Sequence, residues 1–375
     1  MATDFLIIGG GIAGASAGYF LSERGRVTLL EREEAPGYHS TGRSAALYTE
    51  TYGNAAIRAL TIASGPFFRA PPAGFAEHPL LKPRGVVIMA TAEAGTRFRA
   101  ALAEAQRHAP EVRAVTPAEA IALCPILRPE WAAHAFHEPD AMDMDVHAIH
   151  QGYLRGLRAR GGEIVTAAEV VALQRRGGVW DVETRAGRFS APIVLNAGGA
   201  WADEIATLAG VRPVGLVPKR RTAFVIELPA GMSPGPWPMI CDVDETLYFR
   251  PEAGHLLVSP ADETPVPPCD VQPEELDVAL AAERLETRTT LKVTRIVRRW
   301  AGLRSFVRDK TPVVGHAPEA PGFVWVAGQG GYGIQTSAAM GRVATAFATG
   351  DELPSDLTQR GLKPADLLPD RLYAA

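Results

Sequence analysis

The sequence predicts an α/β fold in which apolar strands lead through glycine-rich turns into helices. Three observations predict it. An apolar strand runs into a glycine-rich turn within residues 5–14, and a second apolar run, Val27–Leu30, ends at Glu31. The same pattern of apolar strand and glycine turn returns at 192–199 and at 323–333. Strands covered on both faces read as continuous apolar runs, so these segments favour a buried parallel sheet.

The turn at residues 9–14 has the glycine spacing of a dinucleotide site. Gly9 permits the tight turn, Gly11 lets the backbone approach a pyrophosphate, and Gly14 lets helix and strand pack closely. The helix then begins at the phosphates, where Ile12 and Ala13 are expected to contact them. Glu31 follows at about the spacing of a carboxylate that binds a ribose hydroxyl, which disfavours a 2′-phosphorylated cofactor. The alternative is the unliganded turn of a doubly wound sheet.

The segment after Glu31, residues 32–46, is a polar loop broken by glycines. Such a loop can fold back over the same pyrophosphate and hold it a second time. The side chains expected to take part are Arg32, Ser40, Thr41, Arg43, Ser44, Ala45 and Ala46. The alternative is a polar surface loop without a ligand.

The later elements follow from periodicity and from glycine breaks. Apolar residues at helical spacing predict a helix within 145–161. Strands are predicted at 163–166, 170–173, 180–184, 187–191 and 192–196, and the turn after them opens a helix around 203–205. Near the C-terminus the strand 323–327 and the turn 328–333 lead into a helix predicted at 334–347. Each glycine turn can also be a plain connection that permits close packing.

Composition limits the class of partner. The 375 residues are 47% hydrophobic, which is enough to bury two ordinary domain cores. The net charge of −4 provides no basic field for a nucleic acid, and no block of Lys and Arg suggests a lipid surface. Three widely spaced cysteines argue against a disulfide framework. The first apolar run breaks at Gly9, so neither a signal peptide nor a membrane span is predicted there. We expect a cytoplasmic protein with a small-molecule partner.

The chain resembles the D-amino acid oxidase superfamily of FAD-dependent enzymes, and within it most closely the bacterial D-arginine dehydrogenases. The matching stretches are 37–46, 77–81, 150–156, 218–221, 300–306 and 329–340. The resemblance implies a Rossmann-like FAD-binding domain formed by 1–82, 140–215 and 300–375. It also implies a discontinuous substrate domain, with an antiparallel sheet, formed by 83–139 and 216–299.

The resemblance implies noncovalent FAD, since no cysteine lies near the C-terminal turn where some relatives attach the flavin. The start of the helix at 334 is expected to stabilise negative charge on the reduced flavin. The further FAD contacts that it implies are Val170, Ala197, Gly198, Trp201, Gly302, Arg304, Gly330, Gly331, Tyr332, Gly333, Ile334, Gln335 and Thr336. No metal site is predicted, because the two histidines three residues apart within 145–161 lack an accompanying metal motif.

The same resemblance assigns the substrate contacts. Arg221 and Arg304 would grip the substrate carboxylate, because a planar guanidinium matches two oxygens. Tyr52 and Tyr248 would assist, and the carbonyl of Gly331 would accept the substrate amine. Without the resemblance, the arginines can be ordinary surface or salt-bridge residues and the tyrosines core aromatics.

Two departures from the family pattern fall in the substrate pocket, where Leu47 replaces a histidine and Val86 replaces a glutamate that anchors a cationic side chain. We therefore expect an apolar pocket that does not prefer arginine, because an unpaired buried cation costs several kcal/mol. Glu50 or Asp242 could supply a substitute charge. The expected pocket residues are Leu47, Thr49, Glu50, Val86, Met239 and Cys241.

The predicted reaction is hydride transfer from Cα of a D-amino acid to flavin N5, followed by hydrolysis of the imino acid to a 2-oxo acid and ammonia. One alternative is an oxidase or dehydrogenase of secondary amines such as sarcosine, glycine or proline. Another is a flavin-binding subunit without substrate chemistry. The electron acceptor, whether oxygen, a quinone or a carrier, stays open.

Overall fold

The computed structural model describes residues 3–373. Its strands are β1 (Phe5–Ile8), β2 (Val27–Leu30), β3 (Leu47–Tyr48), β4 (Leu81–Pro83), β5 (Val86–Ala90), β6 (Arg113–Val115), β7 (His134–Glu138), β8 (Met142–Met144), β9 (Glu163–Val165), β10 (Val170–Arg176), β11 (Val179–Thr184), β12 (Gly187–Ala191), β13 (Ile193–Asn196), β14 (Val217–Ile226), β15 (Met239–Asp242), β16 (Tyr248–Glu252), β17 (His255–Ser259), β18 (Thr264–Pro265), β19 (Ile296–Phe306), β20 (Val313–His316) and β21 (Phe323–Ala327).

The helices lie between these strands and after them. They are α1 (Ile12–Leu21), α2 (Ala55–Arg69), α3 (Gly95–His108), α4 (Pro117–Leu123), α5 (Val146–Ala159), α6 (Ala202–Leu208), α7 (Glu275–Arg288), α8 (Ser337–Thr349), α9 (Ser355–Thr358) and α10 (Asp370–Tyr373). Within residues 3–373 no helix combines the length and the apolar character that crossing a membrane requires.

The first sheet has six strands in the order β20-β21-β13-β1-β2-β9, and its neighbours are parallel except for β20 and β21. The predicted parallel sheet is therefore confirmed. Ile8 at the end of β1 lies opposite both Leu30 and Asn196. Because the carboxyl ends of parallel strands share one edge, the glycine turns that follow β1 and β13 meet there with Glu31.

Both faces of this sheet are covered, which explains the continuous apolar runs. On one face α1 packs against α5 and α8, and their apolar residues enclose Ile7 and Leu29 in one core. On the other face the antiparallel meander β10-β11-β12 and helix α6 enclose Leu6 and Val194 in a second core. The sheet that carries the glycine turns is thus packed on both of its faces.

The second sheet follows the order β18-β14-β17-β16-β15-β5-β7-β6, with β19 paired to β14. The prediction of an antiparallel sheet holds except for the pair β5/β15, which is parallel. Strand β19 crosses the domain boundary predicted at 300. The division into two domains stays a prediction, and residues 1–2 and 374–375 of its first domain lie outside the described residues.

One predicted element needs correction. Helix α8 begins at Ser337 rather than at 334, and the residues before it form turns. The physical reason lies in the backbone hydrogen bonds: the Ser337 N–H donates to the carbonyl of Ile334, three residues back, at 3.2 Å, whereas the Met340 N–H donates to the carbonyl of Thr336, four residues back, at 2.9 Å. The turn therefore extends three residues farther than its glycines indicate.

Candidate active site

A cavity of about 730 Å³ runs from the carboxyl edge of the first sheet to one face of the second. Most of the predicted cofactor residues line it: Gly9, Gly11, Ile12, Ala13, Glu31, Arg32, Ser40, Thr41, Arg43, Ser44, Ala45, Ala46, Val170, Ala197, Gly198, Trp201, Gly302, Arg304, Gly330, Gly331, Tyr332, Gly333, Ile334 and Gln335. Gly14 and Thr336 do not line it. The structure thus brings all three glycine turns to one cavity.

The first turn is tight where a ligand would approach it. Gly9 has φ +109°, and a Cβ there would lie 2.3 Å from the carbonyl oxygen of Ala197. A Cβ on Gly14 would lie 1.9 Å from the carbonyl oxygen of Gly9. Gly14 therefore has the packing role predicted for it, inside the turn rather than at the cavity surface.

Glu31 is fixed by the backbone of the same turn. Its carboxylate accepts hydrogen bonds from the backbone N–H groups of Gly10 and Glu33, both at 2.9 Å. Burial raises the pKa of Glu31, and the two backbone hydrogen bonds oppose that rise. The side chain is held rigidly at the cavity wall, where a carboxylate can accept hydrogen bonds from a ribose.

Residues 32–46 do fold back over the turn, as predicted. Thr41 Oγ1 accepts a hydrogen bond from the backbone N–H of Ile12 at 2.9 Å, at the start of α1. The Arg43 guanidinium donates to the carbonyls of Val271 and Ala301 at 3.1 Å, and so it ties the loop to protein groups. Arg32 lies over the ring of Trp201 at 4.7 Å and forms a flat wall beside the turn.

These features fit a dinucleotide such as FAD. An elongated cavity begins at a glycine turn that leaves no space for side chains, continues past a fixed carboxylate, and reaches a second sheet. Gly11 has no side chain that could cap α1, so the N–H groups at the start of this helix, apart from the Ile12 N–H that donates to Thr41, can donate to phosphate oxygens. Within residues 3–373, no three His, Cys, Asp or Glu side chains form a group that could hold a metal ion.

The face of the second sheet supplies the far wall of the cavity. In the antiparallel pair β14/β19, Lys219 lies opposite Arg304 and Arg221 lies opposite Gly302. Arg221 and Arg304 are therefore diagonal neighbours on one face, because side chains alternate along a strand. Both line the cavity, together with Tyr248 of β16.

Of the two arginines that face the cavity from this sheet pair, Arg304 has no acidic partner among the described residues. It donates to the hydroxyl of Tyr52 at 3.3 Å, and no carboxylate of the described chain lies within 4.0 Å of it. Burial lowers the pKa of Arg304, while Tyr52, Tyr248 and Tyr332 raise it, and the net shift is upward. A Cβ on Gly331 would lie 2.8 Å from the Cζ of Arg304, so only a glycine leaves room for the guanidinium there.

Arg221 already has partners. Its Nε donates to the carbonyl of Asp262 at 2.8 Å, and its Nη2 lies 3.2 Å from a carboxylate oxygen of Glu263. Glu263 also pairs with Lys219 at 2.9 Å. The two predicted arginines thus differ in their hydrogen-bond partners. Arg304 is available to a substrate carboxylate, whereas Arg221 could bind one only by sharing or giving up its contacts with Asp262 and Glu263.

Most of the residues predicted for the substrate pocket line the cavity, but one does not. Leu47, Thr49, Val86, Met239 and Cys241 line the cavity. Glu50 lies outside the cavity lining, where it accepts a hydrogen bond from Tyr48 at 2.7 Å and pairs with Arg69 at 3.2 Å. Asp242 lines the cavity, but it forms an ion pair with Arg288 and accepts a hydrogen bond from the Thr246 hydroxyl. Neither acid is therefore a free substitute anchor.

Glu138, which the sequence analysis did not single out, also lines the cavity. It is 5% exposed, and its two oxygens accept hydrogen bonds from Thr49 and Thr51, both at 2.7 Å. Burial raises the pKa of Glu138, and the two threonine hydroxyls oppose that rise. The sequence of β7 gives no local signal for it, because the face on which Glu138 lies depends on the pairing of β7 with β5.

Comparisons with known proteins agree with this architecture. The family model described as DAO, FAD dependent oxidoreductase, matches residues 4–347. The mitochondrial dimethylglycine dehydrogenase of Rattus norvegicus is 26% identical over 386 residues, which cover 95% of this chain and 44% of that protein. The chain therefore spans less than half the length of this curated relative.

Solved structures show the same fold. The L-proline dehydrogenase from P. horikoshii superposes with a TM-score of 0.83 at 21% identity, covering 96% of this chain and 98% of that chain. The glycine oxidase from Geobacillus kaustophilus gives 0.82 at 21% identity, covering 97% and 99%. None of these three relatives is a D-arginine dehydrogenase, so the predicted closeness to that enzyme is not shown. With its family matched over most of its length, the chain belongs to the DAO family of FAD-dependent oxidoreductases.

Proposed function

We propose that this chain oxidises the carbon–nitrogen bond of a free amino acid whose carboxylate binds to Arg304. The observation that carries the proposal is the state of that arginine. Its guanidinium faces the cavity among tyrosines, has one hydrogen bond at 3.3 Å and has no carboxylate partner in the described chain. A cation in such surroundings favours an anionic ligand, and a guanidinium binds a carboxylate with two parallel hydrogen bonds.

The chain's own residues would position the substrate. Arg304 would hold the carboxylate, and the hydroxyls of Tyr52 and Tyr248 can donate to it. The carbonyl of Gly331 would accept a hydrogen bond from the amine. The aromatic side chains around Arg304 limit the access of water, which strengthens each polar contact. FAD, held by Glu31 and the glycine turns, would supply the acceptor for the hydride that leaves the substrate carbon.

Two substrate classes remain under this proposal. A D-amino acid with a primary amine is the first, and its product would hydrolyse to a 2-oxo acid and ammonia. An N-substituted glycine is the second, and it is favoured by the 26% identity to a dimethylglycine dehydrogenase over nearly the whole chain. The cytoplasmic location and the nature of the electron acceptor stay predictions.

Anaerobic bleaching of the flavin tests the proposal. The FAD-loaded protein is mixed with D-amino acids, L-amino acids and N-methyl glycines, and the loss of the oxidised flavin absorbance is followed. Bleaching by D-amino acids supports the first class, and faster bleaching by N-methyl substrates supports the second. Bleaching by L-amino acids alone contradicts both. The absence of bleaching by any of them would favour a flavoprotein subunit without substrate chemistry.

The role of Arg304 is tested by Arg304→Met with Arg298→Met as a matched control. Arg298 lies on the same strand but stacks on Trp300, outside the cavity lining. We expect the first variant to raise the substrate concentration needed for half-maximal bleaching by at least tenfold and the second to leave it within about twofold. Equal effects of the two variants would refute the assignment.

A further inference from the structure

Glu138 lies in a row of cavity residues that the strand register fixes. It is directly opposite Val86 in the antiparallel pair β5/β7, and Val86 lies beside Met239 in the parallel pair β5/β15. All three side chains line the cavity. The row next to it on the same face contains Phe136 and Ile88, which are apolar. A single carboxylate is therefore built into an otherwise apolar part of the wall.

The hydrogen bonds of Glu138 all come from neutral groups. The hydroxyls of Thr49 and Thr51 each donate to one carboxylate oxygen, and the backbone of Glu50 donates as well. Donors of this kind favour the ionised carboxylate. No Lys, Arg or His of residues 3–373 forms an ion pair with it. The charge is held in place by hydrogen bonds but is not neutralised by the protein.

Other acids on this side of the cavity differ from Glu138. Asp242 pairs with Arg288, and Glu263 pairs with Lys219 and Arg221. Glu245 also lines the cavity, but its side chain is exposed to water. Glu138 is thus the buried carboxylate of this wall that still lacks a cation.

A short piece of backbone joins this carboxylate to the unpaired guanidinium. Thr51 donates to Glu138, and the next residue, Tyr52, accepts from Arg304. Thr51 and Tyr52 are consecutive residues, so one short segment contacts both charged groups, and both groups line the same cavity. A cavity with one unpaired positive and one unpaired negative group matches a ligand that carries a carboxylate and a separate cation.

We propose that Glu138 binds a cationic group, a guanidinium or an ammonium, at the far end of the substrate, so that the preferred amino acid carries a second positive charge. This inference rests on the proposed function, since the carboxylate of the same substrate is assigned to Arg304. It reverses the expectation of an apolar pocket: a carboxylate on β7 stands directly across from Val86 on β5.

The test compares arginine with citrulline, which has the same length and shape but no charge. Both enantiomers are used with the FAD-loaded protein, and two quantities are measured: the concentration dependence of anaerobic flavin bleaching, and ligand binding from the shift in melting temperature. Glu138→Gln keeps the shape of the side chain and removes its charge. Glu183→Gln is the matched control, because Glu183 is an exposed carboxylate on the meander, outside the cavity lining.

We expect the protein to prefer arginine over citrulline by at least about 30-fold, which is about 2 kcal/mol at 1.4 kcal/mol per tenfold change. Glu138→Gln should reduce this ratio to within about threefold, while Glu183→Gln should keep it. A protein that treats the two ligands alike in both measurements overturns the inference, and so does a preference that survives in Glu138→Gln.

The two proposals fail in different ways. If no amino acid bleaches the flavin but arginine still binds more tightly than citrulline, and Glu138→Gln abolishes that difference, the proposed reaction is wrong while the cation site stands. If citrulline and other neutral amino acids bleach the flavin as readily as arginine, the reaction stands and the cation site is wrong.

Discussion

Replacing Gly331 with alanine should weaken substrate binding while leaving the fold nearly intact. The added Cβ would lie 2.8 Å from both Cζ and Nη1 of Arg304 and 2.9 Å from its Nε. Real Cβ atoms essentially never approach so closely, so the guanidinium must move. It loses one hydrogen bond, the 3.3 Å contact with Tyr52, and the cost in unfolding free energy should be about 1 kcal/mol or less.

The effect on the substrate should be larger. A hydrogen bond to a charged group contributes about 1.5–3 kcal/mol, so losing one good bond to the substrate carboxylate corresponds to about 10- to 100-fold weaker binding. The assay is anaerobic flavin bleaching at a series of substrate concentrations, with the melting temperature measured in parallel. The substrate concentration for half-maximal bleaching should rise by that factor, and the melting temperature should fall by a few degrees at most.

Gly177→Ala is a control in which stability should change but substrate binding should not. Gly177 lies in the turn between β10 and β11 with φ +56°, and nothing lies within 4 Å of an added Cβ. An alanine there is strained by about 1–2 kcal/mol but is remote from the cavity. It should lower stability without changing substrate binding. The reasoning is refuted if Gly331→Ala binds the substrate as the unmodified protein does, or if both variants weaken binding in proportion to their loss of stability.

Three further changes test the cofactor end. Glu31→Ala removes the acceptor of the Gly10 N–H bond and should weaken FAD binding by about tenfold or more, measured by titrating the apoprotein; unchanged affinity would remove Glu31 from the site. Gly14→Ala places a Cβ 1.9 Å from the carbonyl oxygen of Gly9 and should cost at least about 1–3 kcal/mol of stability in chemical unfolding, whereas a cost near zero would contradict the packing role. Burial lowers the pKa of His150, whose Nε2 lies 2.8 Å from the Gly10 carbonyl. Below pH 6.5 the unfolded chain takes up a proton that the folded chain resists, so the melting temperature should decrease as the pH is lowered. This decrease should be less steep in His150→Gln, and an identical slope in that variant would show that another group is responsible.

The cofactor end of the site could be predicted because its signals are local. The glycines at 9–14 and the acid that ends β2 specify a turn and its carboxylate within some 20 residues, and the sheet that they build is as predicted. The later start of α8 could not be read from the glycines, because glycines permit a turn without fixing the residue at which the regular backbone hydrogen bonds begin.

The substrate end depends on contacts between distant segments. Glu138 is 87 residues from Thr51 in sequence, and its side chain reaches the cavity only because β7 pairs with β5 in one register. A slip of one residue would turn Glu138 to the other face of the sheet. The partner of Arg221, Glu263, likewise comes from a loop whose position no local pattern indicates. Long-range pairing of this kind is invisible to periodicity.

The loop that closes over the first turn has a consequence for assembly of the protein. Ser40 Oγ donates to the carbonyl of Leu303 at 2.7 Å, and the Nε1 of Trp300 donates to the carbonyl of Arg43 at 2.9 Å. These partners are more than 250 residues apart, so a chain under synthesis carries its nucleotide motif long before the motif can be closed. We expect the flavin to be captured as one of the last events of folding, after the C-terminal third has left the ribosome.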